Sequence, residues 1–125
     1  ITRQRGLPAF FRWIFADMAR KDPRWIDSTV ELLSLNLQNI QRHRPPMPPV
    51  MTDAEWRSLQ TPTLFLVGQN EVIYSSPHKA LRRLQRVAPQ VTPEIIPGTG
   101  HDLTFAQPAI VNEKILRFLQ PRHRT

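Results

Sequence analysis

The sequence predicts an α/β fold, a strand–helix–strand–helix unit preceded by a mainly helical segment. Three observations carry that expectation. Thr63 to Gly68 is a nearly continuous apolar run between turn residues, as in a parallel strand buried on both faces. Behind Pro77, a first-turn proline, Ala80, Leu81, Leu84, Val87 and Ala88 form the apolar stripe of an amphipathic helix that ends at Pro89. A second strand, about Thr92 to Pro97, follows at once, and connections this short imply adjacent parallel strands with a right-handed crossover.

The remaining elements follow in chain order. From Leu7 to Ala19, Phe10, Phe11, Trp13, Ile14, Phe15 and Met18 recur with helical spacing, and Asp22-Pro23 ends the run because the residue before a proline is driven out of the helical region. Ser28 and Glu31 have capping-box spacing, and Val30, Leu33, Leu37 and Ile40 share one face of a second helix. Leu33, Leu35 and Leu37 also alternate, which leaves a short strand open there. His43 to Pro49, with Pro45, Pro46 and Pro48, reads as an extended connector and the clearest boundary in the chain. Thr52 and Glu55 form a second capping box for a brief helix with Trp56 and Leu59, stopped by Pro62. Pro93 and Pro97 suit the start and end of the second strand, or a sheet edge. Gly98-Thr99-Gly100 is a turn, and Pro108 opens a last helix with Ile110, Val111, Ile115, Phe118 and Leu119. Two parallel strands alone leave apolar faces and edges uncovered, so further strands are expected before residue 1.

Composition removes several classes of function. A chain of 125 residues holds one small domain at most, and the absence of Cys excludes a disulfide framework and a thiolate zinc site. His43, His78 and His123 stand apart without metal-ligand spacing, so neither metal nor cofactor is expected. Apolar runs such as Leu64 to Val67 are far shorter than the roughly 18 to 20 residues of a membrane helix. The chain opens with Ile1 and shows no signal-like leader, which points to a cytoplasmic piece of something longer. A net charge of +7 raises the question of nucleic acid. Yet residues 1 to 44 mix eight cations with four acids, and Lys79, Arg82, Arg83 and Arg86 lie outside the apolar stripe of their helix without interleaved aromatics. A solvated face accounts for them better than a nucleic-acid surface does. His123 with Arg122 and Arg124 makes a basic tail.

The segment Pro62-Thr63-Leu64-Phe65-Leu66-Val67-Gly68-Gln69-Asn70-Glu71, followed about thirty residues later by Pro97-Gly98-Thr99-Gly100-His101-Asp102-Leu103, resembles the C-terminal part of an α/β-hydrolase. In that family a late strand ends in Gly-x-x-acid and the next ends in a Gly-His turn. The resemblance covers residues 52 to 119, and residues 1 to 51 resemble the helical cap and return segment more weakly. It implies a division into a cap-like segment with its Pro-rich connector (1–51), a C-terminal βαβα part of the hydrolase core (52–120) and the basic tail (121–125).

For the chemistry, the resemblance implies that His101 is the general base and Glu71 the triad acid that fixes its tautomer, with Asp102 an alternative acid or a turn residue. The family more often has Asp where Glu71 stands. If both belong to a triad, a Glu71 oxygen should lie about 2.6 to 3.2 Å from His101 Nδ1. No Gly-x-Ser-x-Gly elbow occurs, and Ser28, Ser34, Ser58, Ser75 and Ser76 lack its strand–turn–helix setting. The nucleophile and oxyanion-hole loop are therefore expected upstream, in the missing N-terminal half of the fold. The implied activity is hydrolysis of an ester or similarly activated small apolar substrate. A non-catalytic binding or interaction module on the same scaffold is the alternative. The cluster Phe10, Phe11, Trp13 and Phe15 fits either burial or a pocket lining.

Overall fold

The structure is a computed structural model that describes residues 6–39 and 49–120. Its elements in order are α1 (Gly6–Ile14), α2 (Ala16–Lys21), α3 (Pro23–Asn39), α4 (Asp53–Ser58), β1 (Thr63–Gly68), α5 (Pro77–Val87), β2 (Val91–Ile96), α6 (Leu103–Ala106) and α7 (Pro108–Leu119). The connector and the basic tail fall mostly or wholly outside the described residues.

The two strands are adjacent and parallel, with Thr63 opposite Val91 and Gly68 opposite Ile96. Their two-residue alternation sorts side chains onto two faces. Phe65 joins Leu84, Ala88, Val91, Trp56 and Leu59 on one side of the sheet, against α5 and α4. Leu66 joins Ile96, Leu103, Val111 and Ile110 on the other, against α6 and α7. β1 was expected to be buried on both faces, but only Val67 and Gly68 are fully buried, because β1 has one strand neighbour among the described residues. Pro93 lies inside β2, where a missing N–H is tolerated because β2 is an edge.

Local chemistry sets the ends of the elements. The Thr52–Glu55 capping box forms, with Glu55 Oε2 accepting the Thr52 N–H at 2.7 Å and Thr52 Oγ1 accepting the Glu55 N–H at 3.3 Å. Ser76 Oγ accepts the Lys79 N–H at 3.3 Å and caps α5 immediately ahead of Pro77.

Three expectations change. The first helix is broken at Phe15, whose ring packs edge-on against both Trp25 and Phe105 with centroids 5.9 and 6.1 Å away. The next helix starts at Pro23 rather than Ser28: Asp22 Oδ1 accepts the Arg24 and Trp25 N–H groups at 3.1 Å each, and proline suits a first helical position. That helix covers Leu33 and Leu35, which removes the strand alternative. The short α6, and the shift of β2 to Val91–Ile96, were not foreseen.

Helices α1 to α3 bury Met18, Ile26 and Val30 among themselves and dock on the end of the sheet through α2 and α6. Trp25 and Phe105 extend that contact, with ring centroids 5.1 Å apart. Among the described residues no helix is long and apolar enough to cross a membrane.

Candidate active site

Both strands end at one point, and the loops beyond them are latched together. The Gln69 N–H donates to Ile96 O at 2.9 Å, the Asn70 N–H to Thr99 O at 2.9 Å, and the Gly98 N–H to Gln69 Oε1 at 2.9 Å. Two glycines permit this approach. A Cβ on Gly68 would stand 2.1 Å from Gly100 O and 2.5 Å from Thr99 O, and Gly98 turns the chain at a φ of 67°.

Glu71 and His101 meet across the latch. The side chain of Glu71 is nearly buried, at 4% exposure, and its Oε1 accepts the N–H groups of Val72 at 2.7 Å and Ile73 at 2.8 Å. Its other oxygen, Oε2, lies 3.0 Å from His101 Nδ1, and the imidazole is 39% exposed. A carboxylate can only accept, so the neutral imidazole in this pair carries its proton on Nδ1 and keeps a lone pair on Nε2. Nε2 has no hydrogen-bond partner among the described residues. A cavity of about 350 Å³ borders both residues and runs along β1 at Phe65, Leu66 and Val67, a strand with one neighbour among the described residues. An imidazole so arranged can take a proton on Nε2 from a group in that cavity.

Asp102, the alternative acid, bonds elsewhere. It is 1% exposed and its Oδ2 accepts the Met18 N–H of α2 at 2.8 Å, while Oδ1 has no partner. From the other side, Asp17 Oδ2 accepts the Gly100 N–H at 2.5 Å and the Thr99 hydroxyl at 2.9 Å. Asp17 and Asp102 escaped the sequence reading as a pair, and the one signal was an acid at position 17 inside an apolar helical run.

The two carboxyls titrate in opposite directions. Burial pushes Asp102 up, opposed by the Met18 N–H but reinforced by the neighbouring Asp17. For Asp17 burial acts upward too, yet the Gly100 N–H, the Thr99 hydroxyl, Asp102 and Arg20 outweigh it and hold the carboxyl below its ordinary value. A depressed acid contributes stability that is present above 3.8 and lost as pH falls through its folded value. A raised acid contributes stability that is full below 3.8 and lost as pH rises through its folded value. In urea titrations across pH, Asp17→Asn is expected to remove part of the acid-side loss and Asp102→Asn part of the loss from 3.8 toward neutrality. A profile unchanged in both variants contradicts this assignment.

No serine among the described residues is hydrogen-bonded to His101. Ser58 Oγ donates to Glu55 O at 2.8 Å and Ser76 caps α5, so both serve their own helices. Among the described residues no group of three or more His, Asp or Glu side chains could hold a metal ion.

No family model matches the chain. It is 34% identical over 122 residues to an uncharacterized carboxylesterase, nap, of Bacillus subtilis (strain 168), an alignment covering 94% of this chain and 40% of that protein. Solved Bacillus subtilis structures align with it as well, two of them carboxylesterases by name. Naproxen esterase (carboxylesterase NP) is 48% identical, with a TM-score of 0.53 over 57% of this chain and 25% of that one. Carboxylesterase CesB (YbfK) is 36% identical, with a TM-score of 0.57 over 64% of this chain and 29% of that one. The chain thus spans 40% of the length of the curated relatives it matches.

Proposed function

Because the chain belongs to the α/β-hydrolase family, of which it carries a C-terminal strand–helix–strand–helix portion, we propose that it supplies the general base and the orienting acid of an ester hydrolase. The observation that supports this is the 3.0 Å pairing of Glu71 with His101 Nδ1, with Nε2 left free beside a cavity. In this reading Nε2 of His101 takes the proton of an attacking hydroxyl and returns it to the leaving alkoxide. Glu71 keeps the proton on Nδ1 and stabilises the imidazolium that forms. The two backbone N–H groups on Oε1 hold the Glu71 carboxylate in place, so the longer side chain does not loosen the pair. The ester class follows the carboxylesterase names of the relatives. In the same reading α1 to α3 act as a cap, and the nucleophile and oxyanion donors come from an elbow and loop that this sequence does not contain.

Two preparations test the reading. The 125-residue chain alone is expected to leave short p-nitrophenyl esters at the buffer rate. A chimera of the nap carboxylesterase in which this chain replaces the stretch it aligns with is expected to hydrolyse them. His101-dependent turnover by the chain alone contradicts the absent nucleophile. A folded chimera with no turnover contradicts the base and acid roles and favours a non-catalytic module.

A further inference from the structure

We propose that Asp17 and Asp102 are positioning residues for His101, together fastening the backbone on both sides of the imidazole to α2. This deepens the catalytic reading and rests on it. The geometry is reciprocal. On the N-terminal side of His101, the Gly100 N–H and the Thr99 hydroxyl both donate to Asp17 Oδ2, at 2.5 and 2.9 Å. On its C-terminal side, Asp102 reaches back and accepts the Met18 N–H at 2.8 Å, one residue along from Asp17.

Neither strand could provide this hold. β2 ends at Ile96, five residues before His101, and the turn between contains two glycines, whose backbone is the least restricted in the chain. The latch to the Glu71 loop fixes Gln69 and Asn70 against Ile96, Gly98 and Thr99, and the Glu71 bond reaches only the His101 ring, so this loop holds no backbone of residues 100 to 102 by a hydrogen bond. The constraint on those residues comes from α2 and from the start of α6, where the Phe105 and Ala106 N–H groups donate to Asp102 O at 2.9 Å each. The surroundings are those of a built contact: Thr99 is 0% and Asp102 1% exposed, and Gly100 is buried. The clamp sits far in sequence from the residue it serves, since 82 to 84 positions separate the partners. Helix α2 is therefore tied to the residues on both sides of the base. Its expected consequence is a fixed imidazole orientation, with Nδ1 on Glu71.

The test reads the ring directly. In the 15N-labelled 125-residue chain, long-range 1H–15N correlations of His101 report which ring nitrogen carries the proton. The wild-type chain is expected to show the neutral Nδ1–H form that Glu71 selects. Asp17→Ala is expected to shift His101 toward the Nε2–H form and to speed exchange of the Gly100 amide about tenfold or more, while amide signals of β1, β2 and α5 stay in place. Asp17→Asn, whose side-chain oxygen can still accept from Gly100 and Thr99, is expected to restore the wild-type ring signals. Thr99→Val, which removes one donor without emptying its site, is expected to fall between them. Unchanged tautomer and exchange in both Asp17→Ala and Thr99→Val overturn the positioning role and leave the Glu71–His101 pair standing. Loss of the whole amide spectrum in Asp17→Ala makes Asp17 a folding residue and also overturns it. A wild-type His101 already in the Nε2–H form overturns the pair itself, a failure distinct from that of the clamp.

Discussion

In the active chimera, His101→Ala is expected to lower kcat/KM by about ten-thousandfold, the upper range for removing a general base that serves both acylation and deacylation. The imidazole is on a loop, 39% exposed, and its one hydrogen bond among the described residues is to the nearly buried Glu71, so the unfolding free energy is expected to fall by about 1 to 3 kcal/mol, the cost of leaving Glu71 Oε2 without its partner. Glu71→Gln is expected to be milder, a loss of about a thousandfold. The direction follows from the local donors. The Val72 and Ile73 N–H groups demand an acceptor at the Oε1 position, so a glutamine would put its oxygen there and turn its NH2 toward His101 Nδ1. That donor selects the Nε2–H tautomer, which has no lone pair on Nε2 to take a proton. Equal activity in Glu71→Gln and the parent chimera would contradict the orienting role.

Gly68→Val is expected to cost about 3 kcal/mol or more of stability, because a Cβ there meets two backbone carbonyls at 2.1 and 2.5 Å and neither belongs to a side chain that can swing aside. The loops must separate or β1 must retreat, and either breaks the latch that brings Glu71 to His101. Activity in the chimera should fall with stability. Gly6→Ala is the control, since a Cβ at Gly6, the first residue of α1, meets nothing within 4 Å among the described residues and alanine is no worse a helix former there. Urea midpoints measure both. A Gly68 variant as stable as the Gly6 variant would mean that the two loops do not approach as closely as the structure has them.

Much of the fold was legible because local chemistry and tertiary structure agree. The apolar run at Thr63–Gly68 became β1, and the stripe behind Pro77 became α5 with its prolines at the expected ends. The Thr52–Glu55 box was readable because both its bonds are formed by residues three apart. Ser28 and Glu31 show the same spacing without that meaning, since Asp22 caps α3 one turn and a half earlier and Pro23 fits its first position. Pattern alone cannot choose between two plausible caps on one helix. The break at Phe15 was hidden for a different reason: it coincides with the packing of Phe15 against Phe105, ninety residues away, a contact that leaves no local pattern. Glu71 and His101 could be picked out through the resemblance to α/β-hydrolases, whose motifs they match, and they lie 3.0 Å apart. Asp17 could not, because its partners Thr99 and Gly100 offer only a hydroxyl and a backbone N–H, which leave no charge pattern in sequence.

Glu71 is argued to act only through His101, and a double-mutant cycle in the chimera measures that dependence. If the two form one unit, adding Glu71→Gln to His101→Ala is expected to change kcat/KM by less than about threefold, although Glu71→Gln alone costs about a thousandfold. If Glu71→Gln lowers the residual rate of the His101→Ala chimera by the same factor as it lowers the parent's, the two residues act independently, and the assignment of Glu71 and His101 as an acid and its base is wrong.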